Sequence, residues 1–126
     1  MSKDILRLKG INKAYNRGLD GEVTVLKGLD LAIAPAQVVA LVAPSGAGKS
    51  TLLHIAGLLD TADSGQLEIG GVNMCGLDGK ARTVLRRQDI GFIYQFHHLL
   101  PEFSALENIV IPQLANNVAS EQARDY

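Results

Sequence analysis

The sequence predicts an α/β fold in which a parallel core sheet with helices is joined by an antiparallel β subdomain. The apolar run from Val38 to Val42 is typical of a buried parallel strand. A glycine-rich turn follows this run, and the segment from Lys49 to Leu59 has the length of a helix without an internal breaker. Short apolar stretches on both sides, bounded by glycine and aspartate, are typical of hairpins.

The segment before the turn predicts a β-hairpin. A first strand is expected around residues 5–8, and a longer extended stretch around 23–33 carries a turn signal near Lys27 and Gly28. Residues 17–21 between them contain the glycine and aspartate of a turn. We therefore expect the two stretches to pair.

The segment after the predicted helix alternates between turns and short elements. Residues 61–65 form a polar turn, residues 66–69 a short strand, and Gly70-Gly71 indicates a hairpin. A short helix is expected at 79–87. Its basic residues, usually a solvated face, are Lys80, Arg82, Arg86 and Arg87.

The last predicted elements are a strand and a helix. Residues 90–94 form a compact apolar strand that ends at Gln95. Ser104 is expected to open a helix through Ile111, with Glu107 as its capping-box partner. Pro112 is expected to close this helix.

The turn after the first core strand predicts a phosphate-binding loop. Its glycines leave room for backbone N–H groups to converge on phosphate oxygens. Lys49 would reach the terminal phosphates, Ser50 would place its hydroxyl on Mg²⁺, and the positive end of the helix would favour the anion. ATP with Mg²⁺ is the expected ligand. The predicted loop consists of Ala43, Pro44, Ser45, Gly46, Ala47, Gly48, Lys49, Ser50 and Thr51.

The loop departs from the usual pattern at its first position, where Ala43 replaces glycine. If this position needs a positive φ, the extra β-carbon costs roughly 1 kcal/mol. A turn with a chance Lys-Ser pair is the alternative, and the strand before it and the helix after it argue against that alternative.

Composition excludes several classes of function. The chain has 126 residues, of which 47% are hydrophobic, and its formal net charge is -1, so general attraction to nucleic acid is not expected. Cys75 is the single cysteine, which fits a reducing compartment. Proline, glutamine or histidine interrupts the longest apolar stretches, so we expect a protein on the cytoplasmic side that could sit beneath a membrane partner.

The motifs occur in the order found in ABC transporter ATP-binding subunits, which are P-loop NTPases. Tyr15 precedes the loop, a polar turn follows its helix, and the segment 90–95 comes later. The segment 92–108, FIYQFHHLLPEFSALEN, resembles the ATP-binding subunits of lipoprotein-releasing systems. The resemblance covers all but the last dozen residues and identifies 1–126 as the amino-terminal part of a single ATP-binding domain, from the phosphate loop through the Q-loop.

The resemblance implies roles for two residues outside the loop. Tyr15 would stack on adenine, which is worth about 1–3 kcal/mol in comparable base stacking. Gln95 would contact Mg²⁺ and the attacking water and report the nucleotide state, so Gln95 and Lys49 are the expected catalytic residues. The alternatives are an ordinary surface tyrosine and a glutamine that merely closes a strand.

The resemblance also implies a docking groove for a short helix of the membrane subunits. Core packing of the same side chains is the alternative, and the two interpretations stay open. The groove residues would be Phe96, Leu99, Leu100 and Phe103. His97 and His98 lack a recognisable third metal ligand, and His54 is expected to be a packed side chain.

Several parts of a complete ABC ATPase are not recognisable. These are the aspartate and glutamate of the Walker B strand, the Leu-Ser-Gly-Gly signature and the switch histidine, and Asp60 closes a helix instead of a strand. We therefore expect hydrolysis only from the complete subunit. It would act as a homodimer with membrane-spanning subunits of the LolC/LolE type, at the cytoplasmic face of the inner membrane, to release lipoproteins toward the outer membrane.

Two other functions stay open. The chain could belong to another exporter of the same subgroup, of the macrolide-export or cell-division type. It could also be a truncated, non-enzymatic fragment with an unpaired sheet edge and an uncovered apolar face.

Overall fold

The computed structural model describes residues 4–44 and 46–115, which divide between two compact units, Met1–Arg82 and Thr83–Tyr126. The described part of the chain contains four strands and three helices. In chain order these are β1 (Leu6–Tyr15), β2 (Val23–Ile33), α1 (Lys49–Ala56), β3 (Ser64–Ile69), β4 (Val72–Asn73), α2 (Gly79–Asp89) and α3 (Ala105–Ala115). No helix among these residues is long and apolar enough to cross a membrane.

The first unit contains one antiparallel sheet with the strand order β2-β1-β3-β4. The predicted pairing of the first two strands is confirmed, with Leu8 opposite Leu31. The Gly70-Gly71 hairpin is confirmed too, since Ile69 pairs with Val72 across it. β1 is longer than predicted because it continues through polar residues as far as Tyr15.

Asn12 supports the irregular middle of β1, where the register shifts against both neighbouring strands. Its Nδ2 donates to the Gly10 carbonyl at 3.0 Å and to Ser64 Oγ at 2.9 Å. Its Oδ1 accepts from the Gly28 amide at 2.9 Å. One side chain thus satisfies groups that a register shift removes from the ladder.

The core of the first unit lies between α1 and the sheet. Ile11 of β1, Leu67 of β3 and Ile55 of α1 line one cavity and are buried. Burial of these apolar side chains stabilises the packing of the helix on the sheet. The buried core residues of this unit are Leu8, Ile11, Leu26, Leu52, Ile55, Leu58, Leu67 and Met74.

The predictions of two further strands, after β2 and after α2, are wrong. Residues 38–42 and 90–94 do not form strands, and Val38, Val42 and Ile93 are 97%, 89% and 102% exposed. A parallel strand needs hydrogen-bonding neighbours in its own sheet. In the part of the chain that the structure describes, the only sheet is the antiparallel one, and neither segment joins it.

α2 confirms the predicted helix and corrects the interpretation of its basic face. The helix starts after Asp78, whose Oδ1 accepts from the Ala81 amide at 2.8 Å as a cap. Arg82 is not a purely solvated residue. It donates to the carbonyls of Leu58 at 3.2 Å and Asp60 at 2.9 Å, just after α1 ends, where carbonyl groups lack helical partners.

α3 confirms the predicted capping box. The Glu107 amide donates to Ser104 Oγ, and the Ser104 amide donates to Glu107 Oε1, each at 3.1 Å. Pro112 does not close this helix, which continues to Ala115. A proline removes a single amide from the helical ladder, and the Gln113 side chain donates to the Ile109 carbonyl at 3.2 Å in the same turn.

Candidate functional site

The predicted phosphate loop forms a turn that leads directly into α1. Gly46 and Gly48 have φ values of +83° and +94°, and the Ala47 amide donates to the Pro44 carbonyl at 3.2 Å. Gly48 is the N-cap of α1, and its carbonyl accepts from the Leu52 amide at 2.9 Å. Ser45 lies outside the described residues. The loop therefore presents the first amides of α1, which have no helical acceptor, at its open end.

Gly48 is required for more than its positive φ. A Cβ at this position would lie 2.6 Å from Val25 Cγ1 and 3.2 Å from Leu26 Cδ2, both on β2. At Gly46, by contrast, a Cβ would meet nothing within 4 Å. One loop glycine thus allows close packing against the sheet, while the other lies in open space where a ligand can approach.

Ala43 has no backbone strain of the kind that a positive φ would cause. The described non-glycine residues with positive φ are Asn16, Ala36, Leu58 and His98. Because Ala43 does not adopt a positive φ, its β-carbon does not cost the expected 1 kcal/mol or so.

Lys49 folds back across the loop. Its ammonium donates to the Ala43 carbonyl and, at 3.1 Å, to the Pro44 carbonyl. The first turn of α1 contains no acidic residue, so no carboxylate there offsets this charge or the positive helix end. Ser50 is exposed beside it. An ammonium, a hydroxyl and helix amides together suit the oxygens of a polyphosphate.

Tyr15 lies beside the loop, as the adenine-stacking prediction requires. Its hydroxyl is 3.1 Å from Thr51 Oγ1 in the first turn of α1, and the residue is 41% exposed. The fold therefore brings the end of β1 and the start of α1 together, although 36 residues separate these two side chains. His54, expected to be packed, is exposed on α1.

Lys13 is a residue at this site that the sequence reasoning missed. Its ammonium lies 5.5 Å from the centroid of the Tyr15 ring and donates to Asp60 Oδ1 at 3.2 Å. The available signal was the two-residue spacing from Tyr15, which places both side chains on one face of a strand. The contact with Asp60 had no local signal.

Asp60 is held as a carboxylate. Burial by itself raises the pKa of Asp60, but the hydrogen bond from the Thr61 amide, with the hydrogen bond and charge of Lys13, more than offsets it. The pKa of Asp60 therefore lies below the ordinary value of 3.8.

Gln95 belongs to the second unit. It lies at an exposed bend after the segment 90–94. Its expected contact with Mg²⁺ and water stays a prediction. Near it, Phe92 stacks on Tyr94 with centroids 5.5 Å apart, and the His98 ring meets Tyr94 edge-on at 4.5 Å.

The adjacent histidines have separate environments. His97 Nδ1 accepts from the Leu99 amide at 2.9 Å, whereas His98 contacts the Tyr94 ring. In the ranges 4–44 and 46–115, no group of three histidine, cysteine or acidic side chains is arranged to hold a metal ion.

The four residues of the predicted groove are exposed in the second unit, so the described part of the chain does not bury them, and the docking groove stays a prediction. Asn108 organises the backbone beneath them. Its Oδ1 accepts from the Leu100 amide at 2.8 Å, and its Nδ2 donates to the carbonyls of Leu100, Phe103 and Ser104 at 3.2, 3.2 and 2.8 Å. The exposed fractions are 71% for Phe96, 58% for Leu99, 44% for Leu100 and 43% for Phe103.

A family model described as ABC transporter matches residues 26–126. The chain is 65% identical to the lipoprotein-releasing system ATP-binding protein LolD of Cereibacter sphaeroides, over 97% of this chain and 56% of that protein. It is 64% identical to the LolD of Roseobacter denitrificans, over 99% of this chain and 55% of that protein. The chain thus spans little more than half the length of these relatives.

Solved structures show the same fold. A dimeric ATP-binding cassette in a post-hydrolysis state, bound to ADP and Pi, has a TM-score of 0.87 and 34% sequence identity to this chain. The similarity covers 95% of this chain and 53% of that one. These likenesses confirm the predicted fold class and the predicted resemblance.

Proposed function

The chain belongs to the ABC transporter family, and on this premise we propose that it is the ATP-binding segment of a subunit that powers lipoprotein release from the inner membrane toward the outer membrane. The observation that carries the proposal is the turn at Gly46, Ala47 and Gly48, in which two glycines of positive φ lead into the start of α1. The assignment of lipoproteins as the transport substrate comes from the names of the LolD relatives. Their sequences match this chain at 65% and 64% identity.

ATP fits the residues of the loop. The Lys49 ammonium can exchange its two carbonyl partners for phosphate oxygens, which form stronger charge-assisted hydrogen bonds. The open space at Gly46 lets backbone amides reach the same oxygens. Tyr15 offers an exposed ring beside the loop for the base.

The hydroxyl of Ser50 suits Mg²⁺ because it is a hard oxygen ligand, and the amide oxygen of Gln95 is a ligand of the same kind. When bound, the ion would neutralise charge on the transferring phosphoryl group. In this proposal Lys49 orients the terminal phosphates and Gln95 orients the attacking water, so catalysis depends on positioning.

The proposed assembly is a homodimer of ATP-binding subunits docked on membrane-spanning subunits of the LolC/LolE type, at the cytoplasmic face of the inner membrane. The exposed side chains of Phe96, Leu99, Leu100 and Phe103 support a docking site for an apolar helix. The dimeric cassette with the same fold supports the pairing of two ATP-binding subunits.

Replacing Lys49 tests the nucleotide site. We expect Lys49→Ala in the full-length protein to weaken Mg-ATP binding at least about tenfold, a loss of about 1.4 kcal/mol. Isothermal titration calorimetry measures the affinity. Lys27→Ala removes an exposed lysine of β2 and is the matched control. Equal affinities of Lys49→Ala and the control for Mg-ATP would contradict the assignment.

The transport role needs a separate test. Depletion of the full-length protein in its own cells should leave outer-membrane lipoproteins in the inner membrane, as measured by membrane fractionation. Correct sorting after depletion, together with co-purification of a different exporter's membrane subunits, would assign the chain to that other exporter.

A further inference from the structure

We propose that Lys13 is a positioning residue for the base of the bound nucleotide: its ammonium covers one face of the Tyr15 ring and leaves the opposite face for adenine. The inference deepens the proposed function and rests on it. Its basis is a set of contacts among Lys13, Tyr15, Thr51, Asp60 and Thr61, all within the first unit.

The position of the Lys13 ammonium fits a cation–π contact. The distance of 5.5 Å from Nζ to the Tyr15 centroid lies within the range of about 6 Å over which such contacts are attractive. The Lys13 side chain is 11% exposed, so little water screens the charge from the ring. Tyr15 itself stays 41% exposed, which leaves ring surface for a second partner.

Lys13 is held in place by groups that follow α1. Its Nζ donates to Asp60 Oδ1 at 3.2 Å and to the Thr61 carbonyl at 2.8 Å. Asp60 is itself fixed, because Oδ1 accepts from the Thr61 amide at 2.7 Å and its carbonyl accepts from Arg82 at 2.9 Å. The ammonium therefore has a defined position and does not sample solvent as a surface lysine does.

The Tyr15 ring is thus held at two points. Its hydroxyl contacts Thr51 in the first turn of α1, and its face contacts an ammonium anchored to residues beyond the end of α1. A ring fixed before the nucleotide arrives loses less conformational freedom on stacking. Removal of the ammonium should therefore weaken binding of the base and spare binding of the phosphates.

The test compares ATP with a ligand that has three linked phosphates but neither the ribose nor the base. Dissociation constants for Mg-ATP and for inorganic tripolyphosphate with Mg²⁺ are measured on the full-length protein. We expect Lys13→Met to weaken ATP binding about fivefold and to leave tripolyphosphate binding unchanged. A fivefold change corresponds to about 1 kcal/mol, which lies within the range of cation–π energies. Lys13→Arg, which keeps the cation, should restore most of the ATP affinity.

The controls separate positioning from folding. Lys9→Met removes an exposed lysine from the same strand and should change neither affinity. Asp60→Asn loosens the anchor and keeps the ammonium, so it should cause a smaller loss specific to ATP. If circular dichroism shows that Lys13→Met does not fold, the affinities of Asp60→Asn for the two ligands provide the test instead.

The outcomes distinguish the proposed role of Lys13 from the proposed nucleotide site on which it rests. Parallel losses of ATP and tripolyphosphate affinity in Lys13→Met and Asp60→Asn would give Lys13 a structural role and overturn the inference. Unchanged ATP affinity in Lys13→Met, with binding lost in Lys49→Ala, would overturn the inference and leave the nucleotide site standing. ATP affinity unchanged in Lys49→Ala would overturn both.

Discussion

Gly65 is the residue where an added methyl group should do the most damage to the first unit. Its φ is +109°, and a Cβ there would lie 2.5 Å from the Gly10 carbonyl oxygen and 2.8 Å from Ile11 Cα. The β1–β3 register shifts between Lys9 and Asn12, so Gly65 faces a bulged stretch of β1. The atoms that the added methyl group would contact are backbone atoms, which cannot move aside by side-chain rotation.

Two terms set the size of the effect of Gly65→Ala on stability. The positive φ costs roughly 1–2 kcal/mol for a residue with a β-carbon. Overpacking against a fixed backbone adds typically about 1–3 kcal/mol. The sum, about 2–5 kcal/mol, is a large part of the roughly 5–15 kcal/mol that stabilises an ordinary domain. We therefore expect Gly65→Ala to lower the free energy of unfolding by about 2–5 kcal/mol and to shift its urea midpoint to a clearly lower concentration.

Urea denaturation followed by far-UV circular dichroism measures this loss. Gly76→Ala is the matched control, because Gly76 has a φ of +85° and a Cβ there would meet nothing within 4 Å. The control should show only the strain of roughly 1–2 kcal/mol. If the two variants have the same free energy of unfolding, the close approach of β1 and β3 has no energetic consequence and the reasoning is refuted.

Three further substitutions test other contacts. Because the pKa of Asp60 is lowered in the folded state, its carboxylate contributes its full stability above the ordinary pKa of 3.8. This contribution is lost as the pH falls through the folded pKa. The difference in unfolding free energy between wild type and Asp60→Asn should therefore be constant at neutral pH and shrink in acid. Ser104→Ala should cost about 0.5–2 kcal/mol by removing a helix cap, measured by urea denaturation, and an equal cost for Ser104→Asp would argue against capping. Asn108→Leu should speed hydrogen exchange of the Leu100 amide at least about tenfold, because that amide donates to Asn108, and unchanged exchange by NMR would refute this role.

The features that the sequence predicted correctly depend on neighbours in the chain. The capping box joins Ser104 to Glu107, the tight hairpin joins Ile69 to Val72, and the loop passes directly into α1. In each case residue type and spacing are sufficient, since a few backbone bonds decide the geometry.

The features that the sequence did not predict depend on partners far along the chain. The contact between Lys13 and Asp60 spans 47 residues, and that between Asn12 and Ser64 spans 52. The apolar run at 38–42 has the composition of a buried strand, but a strand forms only when a neighbour supplies its hydrogen bonds. The apolar composition of this run indicates that its side chains favour burial, but it does not identify the strand with which the run would pair.

The loop acquires its position from the antiparallel sheet, not from the apolar run before it. Gly48 packs against Val25 and Leu26 of β2, and Thr51 contacts Tyr15 at the end of β1. Both contacts come from the β1–β2 hairpin, which has more paired residues than either of the other two strand pairs of the sheet. The turn and the start of α1 can therefore keep their geometry while residues 38–42 lie exposed and outside any sheet. A Cβ at Gly48 would push α1 away from β2 and would separate Tyr15 from the proposed phosphate site.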